Sequence, residues 1–424
     1  MTQARLWSGS RLRLIINWFK ERLWVRPLVM SVLSVAGIFI AGLADDRDLS
    51  SALPEISMDS VESLLSIMAS SMLVIATFAV GSMVSAYASA SDSATPRSFS
   101  LVLADDVTQN ALSAFVGAFI FSLVSLIAVK NGRFDSAGLF AIFALTVGVF
   151  VIVIVTFVRW VDRIARLGRV SNTIEKLETA TADALKRRRH SPSLGATVLS
   201  SRPMPGRGIA VCSKDVGYVQ NIDMASLQST AEKLHCQVLV EALPGTFVSK
   251  HHPLLRVEGR DSFKPEAFSK AFTIDRERDF AEDPRFGLLA LSEIADKALS
   301  AGINDPGTAI DIIGTMVRLF SLWEEPPDKD ESPETSCDRV FAPRLKMDDL
   351  FDDAFTAIAR EGAGIVEVSV RLQKALRALA ETDDQDMRSA ARKHSRMGLA
   401  RSEHAMSHPN DIERTRDAAA FSAD

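Results

Sequence analysis

The sequence predicts a membrane α-helical protein, with four transmembrane helices followed by a mixed α+β cytoplasmic domain. Its mean hydropathy is +0.12 although 24% of its residues are charged, so apolar and charged residues are unevenly distributed. The long apolar runs lie in the first 160 residues, and most of the charge follows them. Between residues 208 and 257 the apolar period changes to two, which is typical of strands. A purely soluble protein and a wholly disordered one are both excluded.

Residues 1–26 are a basic N-terminal segment in which aromatic residues and leucine mix with arginine and lysine. One interpretation is an interfacial helix that lies on the anionic inner leaflet of a membrane. The other is an ordinary positive flank with aromatic anchors for the first membrane helix. The sequence leaves both interpretations open.

Residues 27–160 contain four apolar segments, and each is long enough for a helix that crosses about 30 Å of hydrocarbon. The segments cover approximately residues 27–43, 64–88, 111–129 and 139–158, and none has a charged residue in its core. Carriers that couple transport to ions commonly place ionisable residues within their spans. Charge-coupled transport is therefore disfavoured, whereas a passive pore is not.

The charges that flank these segments predict that both termini lie in the cytoplasm, with the protein in the bacterial inner membrane. Basic residues precede the first segment and follow the fourth, while the loop after the first segment is acidic. Cytoplasmic flanks of membrane helices carry the excess of Lys and Arg. The candidate membrane-flanking residues are Pro96, Arg97, Trp160 and Arg163.

The second apolar segment carries small and hydroxyl-bearing residues at spacings that place them on one side of a helix. Such a stripe is typical of a water-filled path, where hydroxyls replace part of an ion's hydration shell. It is also typical of helix packing, since small residues let two backbones approach in lipid. Bulky apolar residues beside the stripe favour packing. The candidate pore-lining or helix-packing residues are Ser63, Ser66, Ser70, Thr77, Gly81 and Ser85.

The rest of the chain divides by composition and periodicity. Residues 161–207 are predicted to be a helical stalk and a linker, with the basic residues 186–189 exposed or facing lipid. Residues 208–260 are predicted to be a small β-rich module, and residues 261–406 a helical cytoplasmic domain. An acidic, proline-rich surface insertion is expected at 324–335, and a disordered tail at 407–424.

A loop between two predicted helices is the candidate functional loop of the cytoplasmic domain. Gly302 is expected to end the first helix, and Asp305 to cap the second, with Pro306 at its first position. The alternative is a divalent cation bound by Asp283, Asn304 and Asp305, since oxygen ligands suit calcium or magnesium. Capping explains the same residues without a ligand. The candidate residues are Asp283, Phe286, Gly287, Gly302, Asn304, Asp305, Pro306 and Thr308.

No motif in the sequence assigns a catalytic residue, a metal site or a cofactor. A Walker-type phosphate loop, a Gly-x-Ser-x-Gly elbow, a His-Glu-x-x-His site and a dinucleotide fingerprint are all missing. The 3 cysteines lack metal-type spacing, and a net charge of -5 without a basic tract does not support nucleic-acid binding. We therefore predict no enzyme, no cofactor, no metal and no nucleic-acid partner.

Several short segments together resemble a known group of proteins. They are Ser-Asp-Ser-Ala-Thr-Pro-Arg at 91–97, Trp-Val-Asp-Arg-Ile-Ala at 160–165 with Ser171-Asn172, Gly-Tyr-Val-Gln at 217–220 with Ile222-Asp223, Asp-Pro-Arg-Phe-Gly at 283–287, and Ala-Leu-Ser-Ala-Gly-Ile-Asn-Asp-Pro-Gly-Thr-Ala at 298–309. With Thr95 and Ala301 as departures from the usual Ser and Pro, this order resembles a bacterial group of predicted membrane proteins, the domain of unknown function DUF2254. The resemblance covers roughly residues 25–320. It implies a multi-pass inner-membrane protein with a cytoplasmic domain, and it brings no activity or catalytic residue.

The leading hypothesis for function is an oligomeric pore or channel-like protein that is assembled or gated by its cytoplasmic domain. The alternative is a membrane-anchored sensor or scaffold whose cytoplasmic domain binds a partner or a metabolite. A third hypothesis, an enzyme that acts on lipid at the inner leaflet, rests only on location and exposed acidic residues. The expected partners are the lipid bilayer and further copies of the chain, and the sequence does not identify a small-molecule or protein ligand.

Overall fold

A computed structural model describes residues 25–42, 54, 56–93, 95–98, 106–166, 170–198, 208–260, 262–324 and 337–422. The chain divides into a first unit, residues 1–173, and a second unit, residues 174–424. Most of the basic N-terminal segment and nearly all of the acidic insertion at 324–335 lie outside the described residues.

Four helices build the described part of the first unit. They are α1 (Val25–Gly42), α2 (Met58–Ser93), α3 (Asp106–Lys130) and α4 (Ser136–Arg166), with a short 3-10 helix (Pro96–Ser98) after α2. The spans Met58–Ser89, Val107–Lys130 and Ser136–Ile164 are long and apolar enough to cross a membrane. In α1 the apolar stretch among the described residues is only Pro27–Ala36. The described residues thus contain three candidate spans where the sequence predicts four, because about 20 apolar residues are needed to cross.

The central helix of the first unit is α3, which packs against α1, α2 and α4. A Cβ at Gly117 would lie 3.1 Å from the Cβ of Met30, so a small residue is needed where α1 crosses. The buried hydroxyls of Ser113 and Ser122 donate to the carbonyls of Gln109 and Ala118, at 2.6 and 2.7 Å. These bonds satisfy polar groups that have no access to water.

Within the predicted stalk and linker, the structure has a packed helix, α5 (Val170–His190). Arg187, Arg188 and Arg189 form its last turn, where cations favour the carbonyl end of the helix. Arg187 donates to the carbonyl of Ala281, Arg188 to that of Glu282 at 3.1 Å, and Arg189 to that of Leu322 at 3.0 Å. The exposure predicted for residues 186–189 holds for Lys186 and Arg187, whereas Arg188 is buried and Arg189 is half-buried. Local composition does not show which distant carbonyls accept hydrogen bonds from these arginines.

Two small sheets follow α5. The strands are β1 (Ala196–Val198), β2 (Ile209–Cys212), β3 (Gly217–Ile222), β4 (Gln237–Val240), β5 (Phe247–Val248), β6 (Pro253–Glu258), β7 (Phe272–Asp275) and β8 (Cys337–Ala342), with helices α6 (Met224–Leu234) and α7 (Glu266–Ser269) between them. The orders are β1-β8-β4-β6-β2 and β5-β3-β7. As predicted, residues 208–260 are rich in strands, but the sheets also include β1, β7 and β8 from outside that range. In particular, β8 pairs in parallel between β1 and β4, and such a long-range pairing leaves no local sequence signal.

The other helices of the second unit form a layered bundle. They are α8 (Pro284–Leu299), α9 (Pro306–Ser321), α10 (Met347–Glu361), α11 (Val366–Ala380), α12 (Gln385–Ala405) and α13 (Pro409–Ala419), followed by a 3-10 turn (Ala420–Ser422). The rings of Phe320, Phe351 and Phe355 cluster within the bundle, with centroids 4.6 to 5.7 Å apart. The tail predicted to be disordered is in fact α13, whose Thr415 and Ala419 are buried against the bundle. Because most residues of α13 are polar, its narrow apolar face is not evident from the hydropathy of the sequence.

The buried imidazole of His394 makes the stability of this bundle depend on pH. His394 lies in α12, and its Nε2 is 3.3 Å from Oδ1 of Asp352 in α10, although this contact lacks hydrogen-bond geometry. Burial lowers the pKa of His394, and Lys393 and Arg401 act in the same direction, while Asp352 and Asp348 oppose it.

We expect the thermal unfolding midpoint of the detergent-solubilised full-length protein to fall as the pH falls below about 6.5, the ordinary pKa of histidine. The unfolded chain then binds a proton that folded His394 does not bind, so acid favours unfolding. A His394→Gln variant should lose part of this pH dependence, whereas His404→Gln, at an exposed position of the same helix, should keep it. Identical pH profiles for the two variants would contradict the prediction.

Candidate functional site

The stripe predicted on the second membrane segment lies on the exposed side of α2. Ser63, Ser66, Ser70, Thr77, Gly81 and Ser85 are all exposed. The side of α2 that packs on the other helices is the opposite one, about 180° around the helix axis. Its buried residues are Val61, Leu65, Met68, Met72, Ala76, Ala79 and Met83. The described helices of this chain therefore do not cover the stripe.

The hydroxyls in the middle of the stripe bond to their own helix. Ser70 donates to the carbonyls of Ser66 and Ile67 at 3.0 Å, and Thr77 donates to that of Leu73 at 2.8 Å. Each hydroxyl oxygen keeps lone pairs that can accept a further bond. Exposed Val74 and Phe78 lie beside them. This face suits a contact with a second chain or a lipid-facing surface, and its hydroxyl oxygens are available to water or an ion.

An open pocket of about 540 Å3 lies beside the C-terminal half of the stripe. It is formed by α2 and by the end of α4, which contributes Ile164. Two stripe residues, Gly81 and Ser85, contribute to it. Ser82 and Ser89 were not predicted, although they share with Ser85 a helical spacing of three and four. The full lining is Phe78, Gly81, Ser82, Ser85, Ala86, Ser89 and Ile164.

Trp160 is placed differently from the other predicted flanking residues. It is only 1% exposed and packs edge-on against Phe78 and Phe115, with ring centroids 6.1 and 6.2 Å away. Trp160 is therefore a packing residue of the first unit and does not face lipid. Pro96 and Arg97 are exposed in the short 3-10 helix after α2, and Arg163 is half-buried near the end of α4.

In the second unit, Asp283 is the N-cap of α8 and the centre of a buried junction. Its Oδ1 accepts from the backbone N–H of Phe286 at 3.3 Å, and its Oδ2 accepts from Nε of Arg278 at 2.7 Å. A Cβ at Gly245, which has a φ of +90°, would overlap the Asp283 carboxylate. Asp283 therefore joins the start of α8 to the turn that precedes β5.

The charges around Asp283 are strongly desolvated. Asp283 is 2% exposed, and burial raises the pKa of its carboxyl, whereas Arg278 acts to lower it. Arg188 of α5 is 3% exposed, and burial lowers the pKa of its guanidinium against the opposing effects of Glu282 and Asp283. The arrangement binds three segments of chain together and leaves the carboxylate closed to solvent, so we assign it a structural role.

Phe286 and Gly287 continue this junction. The Phe286 ring stacks on Phe280, with centroids 4.3 Å apart, and the Arg278 guanidinium lies 5.1 Å from its centroid. Gly287 faces Thr181 of α5 so closely that a Cβ would overlap the threonine side chain. The run Asp-Pro-Arg-Phe-Gly at 283–287 thus contains a cap, a ring stack and a close helix crossing.

The candidate loop between α8 and α9 is a helix cap. Oδ1 of Asp305 accepts from the backbone N–H of Thr308 at 3.2 Å, and Oδ2 accepts from the Thr308 hydroxyl at 2.6 Å. These bonds lower the pKa of Asp305, and Pro306 occupies the first turn of α9. The residue with left-handed backbone is Asn304, with a φ of +52°, and α8 ends at Leu299 with Ser300 as its C-cap. The expectation that Gly302 ends the helix is therefore wrong by two residues.

The cation site proposed for Asp283, Asn304 and Asp305 is not formed. Asp283 precedes α8 and Asp305 follows it, and the 16 residues of α8 separate them by about 24 Å at 1.5 Å per residue. Among the described residues there is no group of three or more His, Cys, Asp or Glu side chains placed to hold a metal ion.

The close crossing of α8 and α5 can be tested with a pair of glycine variants. Gly287→Ala should lower the free energy of unfolding by about 1–3 kcal/mol, because the new methyl group overpacks against Thr181. Helix propensity alone would favour alanine by about 1 kcal/mol, so a loss of stability reports the contact. Gly302→Ala should stay within about 0.5 kcal/mol of wild type, since no atom lies within 4 Å of its Cβ position. Denaturant unfolding of the purified protein measures both variants, and equal effects would contradict the assignment.

Capping by Asp305 can be separated from ligand binding. Asp305→Ala should cost about 0.5–2 kcal/mol of stability, whereas Asp305→Ser should retain most of it because serine also caps helices. Adding calcium or magnesium should leave the thermal unfolding midpoint of the wild-type protein unchanged. A cation-dependent rise that Asp305→Ala abolishes would show a binding site instead.

Comparison with known proteins assigns the family. The model of the family described as "Predicted membrane protein (DUF2254)" matches residues 20–378. No similar protein was found among curated proteins, and no similar chain was found among solved structures. The match includes the three apolar spans, both sheets and the buried junction at Asp283. Because it covers most of the chain, this protein belongs to the DUF2254 family of predicted membrane proteins.

Proposed function

We propose that the protein is an oligomeric, channel-like protein of the bacterial inner membrane, with a cytoplasmic domain that assembles or gates it. The observation that carries the proposal is the exposure of the hydroxyl stripe on α2. In a single chain this stripe has no protein cover among the described residues. Copies arranged around an axis would bring their α2 stripes together and line a path with hydroxyl oxygens.

The proposed topology has four membrane helices, with both termini in the cytoplasm. The fourth crossing helix is α1, whose 18 residues extend about 27 Å, close to the thickness of the hydrocarbon core. Basic residues before α1 and after α4 support this orientation, as does the acidic loop after α1. The second unit, residues 174–424, would then lie entirely in the cytoplasm.

Contact between copies through α2 is supported by both interpretations of the stripe. Pore lining requires the stripes of several copies to face one another, and small-residue packing requires a second helix on the same face. The described helices of one chain supply no such helix. The bilayer and further copies of this chain are therefore the proposed partners.

A second candidate function is a membrane-anchored sensor or scaffold. The observation that favours it is the extent of the second unit, which has its own cores in the sheets and in the helical bundle. A unit that is packed in this way can bind a protein or a metabolite without any conduction through the membrane. In that case the spans only locate the unit at the membrane.

A flux assay distinguishes these two functions. Full-length protein in liposomes should release a trapped fluorescent ion or small solute, and Ser70→Leu with Thr77→Leu should reduce the flux towards that of empty liposomes. The reason is that leucine replaces the exposed hydroxyls and narrows any path between α2 helices. Light scattering of the same sample measures the oligomeric state.

Val80→Leu is the matched control, because Val80 is exposed on α2 but lies outside the stripe. It should retain wild-type flux. Unchanged flux in the double variant would overturn pore lining by α2. No flux from the wild-type protein, together with a ligand or partner retained by the full chain, would favour the sensor or scaffold.

A further inference from the structure

Two guanidinium groups of the second unit converge on one point of the helical bundle. A Cβ at Gly314 of α9 would lie 3.7 Å from Nη2 of Arg371 in α11 and 3.8 Å from Nη1 of Arg318 in α9. Both nitrogens therefore lie within 4 Å of the same position. Like charges that are this close repel each other, so the arrangement is unfavourable unless negative charge offsets it.

The protein offsets the charge of Arg318. Nε and Nη2 of Arg318 donate to the two carboxylate oxygens of Glu178 in α5, at 2.6 and 2.8 Å, and Nη2 also donates to the hydroxyl of Thr315 at 2.9 Å. The bond to Glu178 raises the pKa of the guanidinium, and the charge of Asp311 acts in the same direction. Such a bidentate pair fixes the orientation of the guanidinium, and it leaves Nη1 on the Gly314 side as a donor.

Arg371 carries a charge that no other group offsets in this way. In the described part of the chain, its guanidinium makes no hydrogen bond and no ion pair. Glu367 and Lys374, one turn before and after it in α11, are exposed and carry opposite charges. Arg371 is exposed, and the side chain of Arg318 is 61% exposed. A ligand from solution can therefore reach both guanidinium groups.

The glycine between these two groups is an independent indication that something approaches this surface. Gly314 lies in the interior of α9, where glycine destabilises a helix relative to alanine. Packing does not require it, because a Cβ would make only ordinary van der Waals contacts, at 3.7 and 3.8 Å. Gly287 is different, since a Cβ there would overlap Thr181. A glycine that packing does not require is typical of a place where a ligand comes close to the backbone.

We propose that Arg371 and Arg318 together bind the phosphate group of a ligand over Gly314. The planar fork of each guanidinium matches the oxygens of a phosphate, and these charge-assisted hydrogen bonds are strong. The negative charge of the phosphate would also offset the charge of Arg371 and remove the repulsion between the two groups. A soluble phosphate ester and a phospholipid headgroup share this chemistry. The site goes beyond the proposed function and does not depend on conduction.

The test is phosphate binding by the full-length protein in detergent, followed by its thermal unfolding midpoint at constant ionic strength with chloride as the reference anion. Inorganic phosphate should raise the midpoint of the wild-type protein saturably, since a ligand that binds only the folded state stabilises it. Arg371→Gln should weaken the apparent affinity about 10-fold to 100-fold, the effect of lost hydrogen bonds to a charged group. Without phosphate its midpoint should equal that of wild type, because Arg371 has no partner among the described residues.

Arg377→Gln is the matched control, because it removes an arginine of the same helix that pairs with Glu381 at 3.2 Å. It should bind phosphate as wild type does. Gly314→Leu keeps both guanidinium groups but fills the space between them, and it should abolish binding. Circular dichroism and size-exclusion profiles confirm that each variant is folded.

Titration with glycerol 3-phosphate and with phosphatidic acid identifies the source of the phosphate. Stabilisation by glycerol 3-phosphate that depends on Arg371 supports a soluble ester, and stabilisation by phosphatidic acid alone supports a lipid headgroup. No effect of phosphate beyond that of chloride, or equal losses in Arg371→Gln and Arg377→Gln, would overturn the proposal. Unchanged binding in Gly314→Leu would also overturn it. Flux in the Ser70 and Thr77 variants tests the proposed function separately.

Discussion

The hydrocarbon core of a bilayer contains no water, and the first half of this protein is organised by that constraint. Backbone groups in such a medium must bond within the chain, which leaves helices as the solution for this sequence. Side-chain hydroxyls obey the same rule, as Ser113 and Ser122 show by donating to carbonyls one turn earlier. Because lipid is as apolar as leucine, the helices associate through close packing at small residues such as Gly117.

The same constraint makes the exposed side of α2 informative. Serines and a glycine add little to the stability of a membrane helix when they lie on a surface that contacts only acyl chains. Here the stripe and the adjoining pocket share Gly81 and Ser85, and the stripe lies opposite the packed side of α2. Polar side chains on this face are the basis for the proposed contact between copies.

In the second unit, water is available at the surface, and the organising interactions are those of buried charges. Asp283 caps α8, pairs with Arg278 and lies against the Gly245 turn, while the last turn of α5 donates three guanidinium groups to backbone carbonyls. Removing one member of such a desolvated network leaves another charge unpaired. The segment 283–287, which carries part of the family resemblance, therefore has a structural explanation and needs no catalytic one.

The sequence by itself determined the family, the apolar spans of α2, α3 and α4, the positions of the bundle helices and the capping of α9 by Asp305. The spans, the helices and the cap depend on residues that are close in sequence, so hydrophobic periodicity and capping residues are enough to predict them. Only the tertiary structure decided that Arg187, Arg188 and Arg189 donate to distant carbonyls, that β8 joins the sheet beside β1, and that the last helix packs on the bundle. It also decided that Asp283 and Asp305 lie at opposite ends of α8, that Trp160 is buried, and that the α2 stripe faces outward. These outcomes depend on contacts between residues far apart in the chain, and local patterns do not record which partners will meet.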